Sequence, residues 1–241
     1  MQNSAIIKTE NLSKTYPLGL TALKALDTVN LSVATGEFLG FIGPSGSGKT
    51  TLLNIIGCLD APTSGSAKVL GQPVESLSHK EAARLRMNRI GFIFQTFNLL
   101  PVYTVFENVE FPLLLLGMDA ERRRGHVMDA LQWVGLADRA DSKPAQLSGG
   151  ECQRVAIARA IVKKPELVLA DEPTANLDAK NSHHIMQTMV QLNKELKTTF
   201  VFATHDEKVM AYLNRKIVLA DGRIVKDEAG GQKSNVRDQK P

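Results

Sequence analysis

The chain has 241 residues, 43% of them hydrophobic and 22% charged, with a net charge of +4 from 29 basic and 25 acidic residues. This length and apolar content can bury a substantial core, which excludes an intrinsically disordered chain. The small positive charge is typical of an ordinary mixed surface, so it does not predict binding to nucleic acid or to an anionic membrane. We expect no nucleic-acid partner.

The two cysteines, Cys58 and Cys152, form neither a disulfide framework nor a zinc-binding pattern, and they favour a reducing cytosol. The opening residues MQNSAIIKTE have no charged start followed by an apolar block, so we predict no signal peptide. The most apolar segment, FPLLLLG at 111–117, is far shorter than the roughly 18 residues that span a bilayer. We therefore expect that the chain does not cross a membrane itself.

The first 72 residues are predicted to contain a series of strands. Short apolar or alternating runs, AIIKTENL, LDTVNLSV, EFLGFIG and GSAKVLG, are separated by Gly, Asn and Pro. The run FLGFI at 38–42 is continuously apolar, as in a strand that is buried on both faces. It leads directly into GPSGSGKT and then into TLLNIIGCL, whose apolar residues have helical spacing. The pattern predicts a strand, a glycine-rich loop and a helix in that order.

Residues 103–140 are predicted to be helical. In DAERRRGHVMDALQWVGL, the residues Val127, Leu131 and Val134 recur at i, i+4 and i+7 and therefore share one face. The arginine run at 122–124 forms the leading polar turn, which we expect to be solvated.

Two more buried strands are predicted downstream, ELVLA at 166–170 and TFVFAT at 199–204. The helix between them has an apolar face formed by Ile185, Met189, Leu192 and Leu196. A last strand, KIVLAD, precedes a turn at Asp221-Gly222. Residues 229–241, AGGQKSNVRDQKP, have nothing to bury and are predicted to be a disordered tail.

The glycine-rich loop matches the phosphate-binding pattern GxxxxGK[ST] in full. Its residues are Gly43, Pro44, Ser45, Gly46, Ser47, Gly48, Lys49 and Thr50. The glycines let successive backbone N–H groups point at phosphate oxygens, and the following helix adds the positive end of its dipole. Lys49 can reach the β- and γ-phosphates, and the Thr50 hydroxyl can ligate Mg²⁺. A flexible Gly-Ser turn is the alternative, but the flanking strand and helix favour a nucleotide site.

A pair of acids follows the predicted strand ELVLA. Asp171 ends the strand, where a carboxylate can hold Mg²⁺ directly or through water. Glu172 comes next, where a carboxylate can accept a proton from an attacking water. Two acids at a strand end can also simply cap the next turn, and the preceding phosphate loop favours the metal and base roles.

These two motifs do not by themselves separate a GTPase, a kinase and a transport ATPase. A GTPase normally needs an NKxD guanine reader, and the nearest match here, Asn193-Lys194-Glu195-Leu196, ends in leucine on an apolar helix face. Guanine specificity is therefore unsupported.

Further motifs identify a family. LSGGECQR, GPSGSGKT, LVLADEPTANLD and THD together resemble the nucleotide-binding domain of ATP-binding cassette (ABC) transporters, and the resemblance extends from about residue 5 to 228. It implies a P-loop NTPase (RecA-like) α/β core with an antiparallel β subdomain and a helical subdomain inserted at approximately 96–154. The implied ABC ATPase domain spans residues 1–228, followed by the tail.

The resemblance also explains why the helix in LSGGECQR opens with two glycines, which are poor helix formers. In ABC ATPases two copies pack head to tail, and each ATP lies between the P-loop of one copy and the signature helix of the other. The Ser148 hydroxyl and the backbone N–H groups at Gly149 and Gly150 would then close on a γ-phosphate. We expect a homodimer with ATP at its interface and Mg²⁺ as the metal.

Other site residues are implied one by one. Tyr16 matches the aromatic residue that stacks on adenine, Thr51 joins the nucleotide-binding set, and Gln95 matches the glutamine that approaches Mg²⁺ and the attacking water. His205 matches the residue that contacts the γ-phosphate. A half-buried core tyrosine, a turn glutamine and a structural histidine are the alternatives. The implied catalytic residues are Glu172, His205, Gln95 and Lys49, and the implied metal ligands are Thr50, Gln95 and Asp171.

The sequence also allows statements about a loop before a helix, a cysteine in the signature motif and a pair of histidines. Asn176-Leu177-Asp178 resembles the loop that crosses to the partner's active site, so Asp178 joins the nucleotide-binding set, although an Asp that caps the next helix is the alternative. Cys152 departs from the family pattern, in which glutamine is expected. His183 and His184 are adjacent on a helix and cannot chelate one metal together, so a solvated face is the better interpretation.

The resemblance implies a membrane-bound assembly. We expect separate integral membrane permease subunits to dock on the segment QTFNLLPVYTVFENVEFPLLLLG, at the cytoplasmic face of a bacterial inner membrane. The sequence is most similar to the subgroup paired with lipoprotein-release, macrolide-export or cell-division permeases, which favours export or lipid extraction. The alternatives are a cell-division-type regulator and a soluble ABC ATPase. The latter usually joins two cassettes or inserts a long coiled coil, and neither is present.

Overall fold

The computed structural model describes residues 5–19 and 21–229. Within these ranges the strands are β1 (Ala5–Leu18), β2 (Thr21–Ala34), β3 (Phe38–Ile42), β4 (Ser64–Val69), β5 (Gln72–Pro73), β6 (Ile90–Ile93), β7 (Leu167–Asp171), β8 (Thr199–Thr204), β9 (Arg215–Ala220) and β10 (Arg223–Ala229). The α-helices are α1 (Lys49–Ile56), α2 (His79–Arg89), α3 (Val105–Leu115), α4 (Ala120–Trp133), α5 (Gly149–Ile161), α6 (Ala179–Leu196) and α7 (Glu207–Met210). The predicted disordered tail lies outside the described residues, apart from Ala229, which ends β10.

The strands form two sheets with different pairing. The smaller sheet has the order β2-β1-β4-β5, and its neighbouring strands are antiparallel. The larger sheet has the order β10-β9-β3-β8-β7-β6, in which β10 is antiparallel to β9 and every other neighbouring pair is parallel. This arrangement confirms the prediction of an α/β core with an antiparallel β subdomain.

The central strands separate two hydrophobic cores. Side chains alternate along a strand, so Leu39 and Leu169 point into the core shared with the antiparallel sheet and α1. Phe38 and Phe202 point into the core formed with α3 to α6. A strand with apolar side chains on both faces has no solvated side, which explains the continuous apolar runs of β3, β7 and β8.

Helices α3, α4 and α5 lie between β6 and β7 in the chain and pack on the second core. Val127, Leu131 and Val134 are fully buried, as predicted from their spacing. One part of the predicted solvated turn is wrong, because the Arg123 side chain is only 18% exposed and pairs with Glu110 at 2.8 Å. Arg123 therefore ties α4 to α3 rather than facing water. The boundaries of the helical subdomain, 96–154, stay a prediction.

The larger sheet brings the sequence motifs to one edge. The carboxyl ends of β3, β6, β7 and β8 lead into the P-loop, Gln95, Asp171 and His205, respectively. Because parallel strands end at the same edge, residues far apart in sequence meet there, and ligands of open α/β sheets bind beyond this edge. Among the described helices, none has both the length and the apolar character needed to cross a bilayer.

Candidate nucleotide-binding site

A cavity of about 640 Å³ lies at this edge of the sheet. Its lining includes these predicted site residues: Tyr16, Ser45, Gly46, Gly48, Lys49, Thr50, Thr51, Gln95, Asp171, Glu172 and His205. The structure therefore assembles in one chain the predicted phosphate loop, both acids, the glutamine, the histidine and the aromatic residue. Gly43, Pro44 and Ser47 belong to the same loop but are not among the lining residues.

The P-loop has a backbone that only glycine can adopt easily. Gly48 has φ = 100° and directly precedes α1, and a Cβ on it would lie 2.5 Å from the backbone oxygen of Ala25. The Lys49 side chain folds back into the loop, where its ammonium donates hydrogen bonds of 2.8 Å to the carbonyl oxygens of Gly43 and Pro44. The charge is therefore held at the base of the loop, beside the N-terminus of α1, where both favour an anion.

The predicted metal ligands lie together. The Thr50 hydroxyl lies 3.2 Å from Oδ2 of Asp171, and Gln95 lines the same cavity. Burial raises the pKa of Asp171, and the adjacent charge of Glu172 raises it further, opposing a hydrogen bond from Thr50. Among the described residues no cluster of three or more His, Cys, Asp or Glu forms a metal cage. One carboxylate with hydroxyl and amide oxygens fits Mg²⁺, which binds through few protein ligands and substrate phosphates.

Glu172 is held in a constrained position at the end of β7. It has a left-handed backbone conformation with φ = 44°, unusual for a residue with a side chain. Its Oε1 lies 2.6 Å from Nδ1 of His205, and its Oε2 accepts a hydrogen bond of 3.0 Å from the Thr204 hydroxyl. Both carboxylate oxygens are therefore oriented by side chains of the same chain, an arrangement that suits a general base.

Sequence reasoning missed the role of Thr204. Its side chain is fully buried, and its oxygen accepts a hydrogen bond of 3.0 Å from the backbone N–H of Asp206 while it donates to Glu172. The accepted bond leaves the single hydroxyl proton free to point at the carboxylate. The contact joins residues 32 positions apart, and a threonine at a strand end carries no signal of it.

The signature residues do not line this cavity. Ser148 caps α5, and its hydroxyl donates to Oε2 of Glu151 at 2.8 Å in a capping box. Gly149 is exposed, and a Cβ on it would lie no closer than 3.9 Å to other atoms. Gly150 is buried, and a Cβ there would lie 2.7 Å from Oδ1 of Asn181. Gly150 therefore has a packing role in its own chain that the sequence did not indicate.

Asp178 also lies outside the lining. Its carboxylate accepts a hydrogen bond of 2.8 Å from the backbone N–H of Asn181 and caps α6, which is the alternative that the sequence left open. Asn176, in the same loop, donates a hydrogen bond of 2.9 Å to the carbonyl oxygen of Gln95. The loop is thus attached to the segment that carries the predicted water-positioning glutamine.

The remaining sequence predictions concern polar or reactive side chains near α5 and α6. Cys152 is buried, with its Sγ 3.7 Å from the carbonyl oxygen of Pro144. Burial raises the pKa of this thiol. His183 and His184 are exposed, as predicted.

A phosphate loop between β3 and α1, an acid at the end of β7 and a second carboxylate held beside it are the features of a P-loop nucleotide hydrolase. The ABC transporter family model matches residues 26–175, and the chain belongs to this family. It is an ATP-binding cassette with the fold of an ABC ATPase.

Individual relatives extend the match to nearly the whole chain. The uncharacterized ABC transporter ATP-binding protein MJ0796 of Methanocaldococcus jannaschii is 46% identical over 92% of this chain and 97% of its own. The lipoprotein-releasing system ATP-binding protein LolD of Pseudoalteromonas translucida is 47% identical over 94% of this chain and 98% of its own. A dimeric structure of the MJ0796 cassette bound to ADP and Pi covers 92% of this chain and 98% of its own, with 44% identity and a TM-score of 0.85.

Proposed function

We propose that this chain is the ATP-hydrolysing subunit of a membrane-bound export or lipoprotein-extraction machine, in which two copies close head to tail on two ATP molecules. One observation carries the proposal: Lys49, Thr50, Asp171 and Glu172 line one cavity, whereas Ser148 and Gly149 are exposed at a helix N-terminus and are not among its lining residues. A helix end in this position is accessible to a phosphate that a second chain holds. The dimeric structure of the MJ0796 cassette supports this assembly.

The charges explain why nucleotide would drive association. A γ-phosphate on the P-loop carries negative charge, and the N-terminus of α5 offers free backbone N–H groups and the positive end of its dipole. The absence of a side chain at Gly149 lets those N–H groups approach closely. Release of the cleaved γ-phosphate after hydrolysis removes the bridging charge, so the dimer then opens.

We assign the chemistry of hydrolysis to five side chains. Glu172 accepts the proton of the attacking water, while His205 and Thr204 keep its carboxylate oriented. Lys49 balances the charge that spreads over the γ-phosphoryl oxygens in the transition state. Gln95 lines the same cavity and positions the water.

Thr50, Asp171 and Gln95 are the residues that would hold Mg²⁺. When bound, the ion would neutralise charge on the β- and γ-phosphate oxygens. The cation would oppose the effect of burial, which raises the pKa of Asp171.

We assign the membrane partner to a groove of about 540 Å³ that is lined by residues of α2, β6, α3 and α5. Its apolar lining includes Leu59, Phe92, Phe94, Phe111 and Leu115, and three of these, Leu59, Phe111 and Leu115, are exposed. Phe111 and Leu115 belong to the segment that the sequence predicted as the docking surface. An exposed apolar groove is suited to a segment of a partner protein, and we propose that a membrane protein supplies this segment.

The groove also carries uncompensated positive charge. Arg86, Arg159 and Lys163 line it, and their hydrogen bonds in the described residues go to backbone carbonyl oxygens rather than to carboxylates. Burial lowers the pKa of Lys163 to about 8, which reflects the cost of a charge without a counter-ion. We therefore expect the docking segment to be an apolar helix with an acidic side chain, supplied by a permease at the cytoplasmic face of the inner membrane.

A membrane-association experiment tests this partner. Leu115→Glu puts a carboxylate on the apolar part of the groove, and Val225→Glu makes the same change at a similarly exposed site outside it, since the two side chains are 58% and 60% exposed. In native cells, tagged wild-type and Val225→Glu chains should sediment with membranes and crosslink to an integral membrane protein, whereas Leu115→Glu should stay in the supernatant. Equal sedimentation of all three would contradict the docking assignment.

A further inference from the structure

Tyr16, the proposed platform for the base of ATP, is held by two charged side chains that the family motifs do not include. Its hydroxyl donates a hydrogen bond of 2.7 Å to Oδ2 of Asp60. The other oxygen of Asp60 accepts a hydrogen bond of 2.5 Å from Nζ of Lys14, which also donates to the carbonyl oxygen of Ala61 at 2.7 Å. The ammonium of Lys14 lies 4.9 Å from the centre of the Tyr16 ring. Lys14, Asp60 and Tyr16 thus contact one another, and the Thr51 side chain also hydrogen-bonds to Tyr16.

The network joins the antiparallel sheet to the segment that follows α1. Tyr16 lies on β1, in the antiparallel sheet, whereas Asp60 follows α1, the helix that begins at the P-loop lysine. The attachment is reinforced nearby, because Thr63 donates its backbone N–H to Ser13 at 2.9 Å and its hydroxyl accepts the Thr15 N–H at 3.0 Å. The ring is therefore positioned relative to the helix that carries the phosphates.

The geometry leaves the ring available to a base. Lys14 lies against one face of the aromatic ring with a side chain only 12% exposed, and Tyr16 itself lines the cavity together with Thr50 and Thr51. A purine needs the remaining face of the ring in a defined orientation. Burial raises the pKa of the Tyr16 phenol, and so does the hydrogen bond to Asp60, so the hydroxyl stays a donor at neutral pH.

We infer that Asp60 and Lys14 are positioning residues for nucleotide binding: they orient the Tyr16 ring so that it stacks on the base while the P-loop binds the phosphates. Lys14 also neutralises the Asp60 carboxylate, which would otherwise repel an anionic ligand. This inference rests on the proposed role of Tyr16 and adds the residues that make its ring an ordered surface.

Binding of ATP and of inorganic triphosphate to the full-length chain tests the inference. Asp60→Ala and Tyr16→Phe break the same hydrogen bond from its two ends, and each should weaken ATP binding by about 3- to 10-fold. Triphosphate binding should not change, because it lacks a base. The double variant should weaken ATP binding no more than either single one. Glu10→Ala, which breaks an exposed pair with Lys8 on the same strand, is the matched control and should bind ATP like the wild type.

The outcomes separate this inference from the proposed site. If Tyr16→Ala leaves ATP affinity unchanged, Tyr16 is not the base platform and both assignments fail. If Tyr16→Ala weakens ATP binding but Tyr16→Phe and Asp60→Ala do not, the platform stands and the positioning role is overturned. An equal loss of ATP and triphosphate binding in Asp60→Ala would also overturn it, because Asp60 would then act through the P-loop helix. In steady-state kinetics, Asp60→Ala and Tyr16→Phe should raise the KM for ATP and leave kcat unchanged.

Discussion

The P-loop side and the signature side of the nucleotide site differ in what surrounds them. On the P-loop side, Lys49, Thr50 and Glu172 line one cavity and contact other groups of the same chain. On the signature side, Gly149 is exposed at the start of a helix and is not among the residues that line that cavity. The first side is built within one chain, and we infer that the second side meets the nucleotide of a second copy.

The contrast also separates two glycines that are adjacent in sequence. Gly150 is required by packing, because Asn181 occupies the space of a side chain. Gly149 has free space around it, so nothing in its own chain requires a glycine. An exposed glycine that packing does not require leaves the backbone N–H groups accessible to another molecule. We infer that a phosphate held by the second copy makes this contact.

The largest effect is expected on the P-loop side. Glu172→Gln keeps the size of the side chain but removes the base, so the rate of ATP hydrolysis should fall by about 1,000-fold. ATP-dependent association should persist, because the phosphate contacts are unchanged, and it should outlast that of the wild type. Phosphate release and light scattering measure the two properties. Hydrolysis near the wild-type rate would show that the base is assigned to the wrong residue.

The paired glycines give the next effect. Gly150→Ala should lower the free energy of unfolding by about 1–3 kcal/mol, because its Cβ overlaps Asn181. In Gly149→Ala, packing should change the free energy of unfolding by less than about 0.5 kcal/mol, and the higher helix propensity of alanine should raise it. The variant should nevertheless weaken ATP-dependent association. Urea denaturation measures the free energy of unfolding of both variants. Equal stability of the two variants would remove the distinction between an internal and an external role.

Thr204→Val tests how far the P-loop side is preorganised. The substitution keeps the shape of the side chain and removes the hydroxyl that orients Glu172, so kcat should fall by about 10-fold with little change in KM. Thr204→Ser should restore most of the rate, because it keeps the hydroxyl. A Val variant with wild-type kcat would mean that His205 alone orients the base.

The smallest effect concerns Asp27 on β2, which pairs with Lys24 and Arg223. Hydrogen bonds from Lys24 and then Arg223 lower the pKa of Asp27 to about 2 from its ordinary 3.8. The stability that the ionised Asp27 carboxylate adds to the folded state is therefore present above about pH 4 and is lost as the pH falls towards 2. The difference in Tm between wild type and Asp27→Asn should be constant near neutral pH and narrow over that acidic range. A difference that widens on acidification would contradict the assignment of Asp27.

The sequence predicted the P-loop side well because each of its motifs is short, contiguous and attached to a strand end. The continuous apolar runs of β3, β7 and β8 predicted buried strands, and the parallel pairing of these strands in the structure brings the P-loop, Asp171 and His205 together. The order of the strands in the sheet was not predicted, since periodicity does not report which strands are neighbours.

What sequence reasoning missed are contacts between side chains that are distant in sequence. Thr204 bonds to Glu172, Asn181 fills the space beside Gly150, and Asp60 holds Tyr16. Arg123 was wrongly expected to face water because its partner, Glu110, lies on another helix. None of these pairs has a local pattern, so only the folded chain reveals them.

A mixing experiment tests most directly whether each ATP is bound by two chains. Lys49→Ala disables the P-loop side, and Gly149→Asp puts a negative charge at the signature helix; each variant alone should be inactive. Mixed in equal amounts, they form heterodimers with one site carrying both defects and one site carrying none, so hydrolysis should recover to about a quarter of the wild-type rate. Lys49→Ala mixed with Glu172→Gln, both on the P-loop side, should recover nothing. If the first mixture contains heterodimers and still shows no recovery, the site is not shared between two chains.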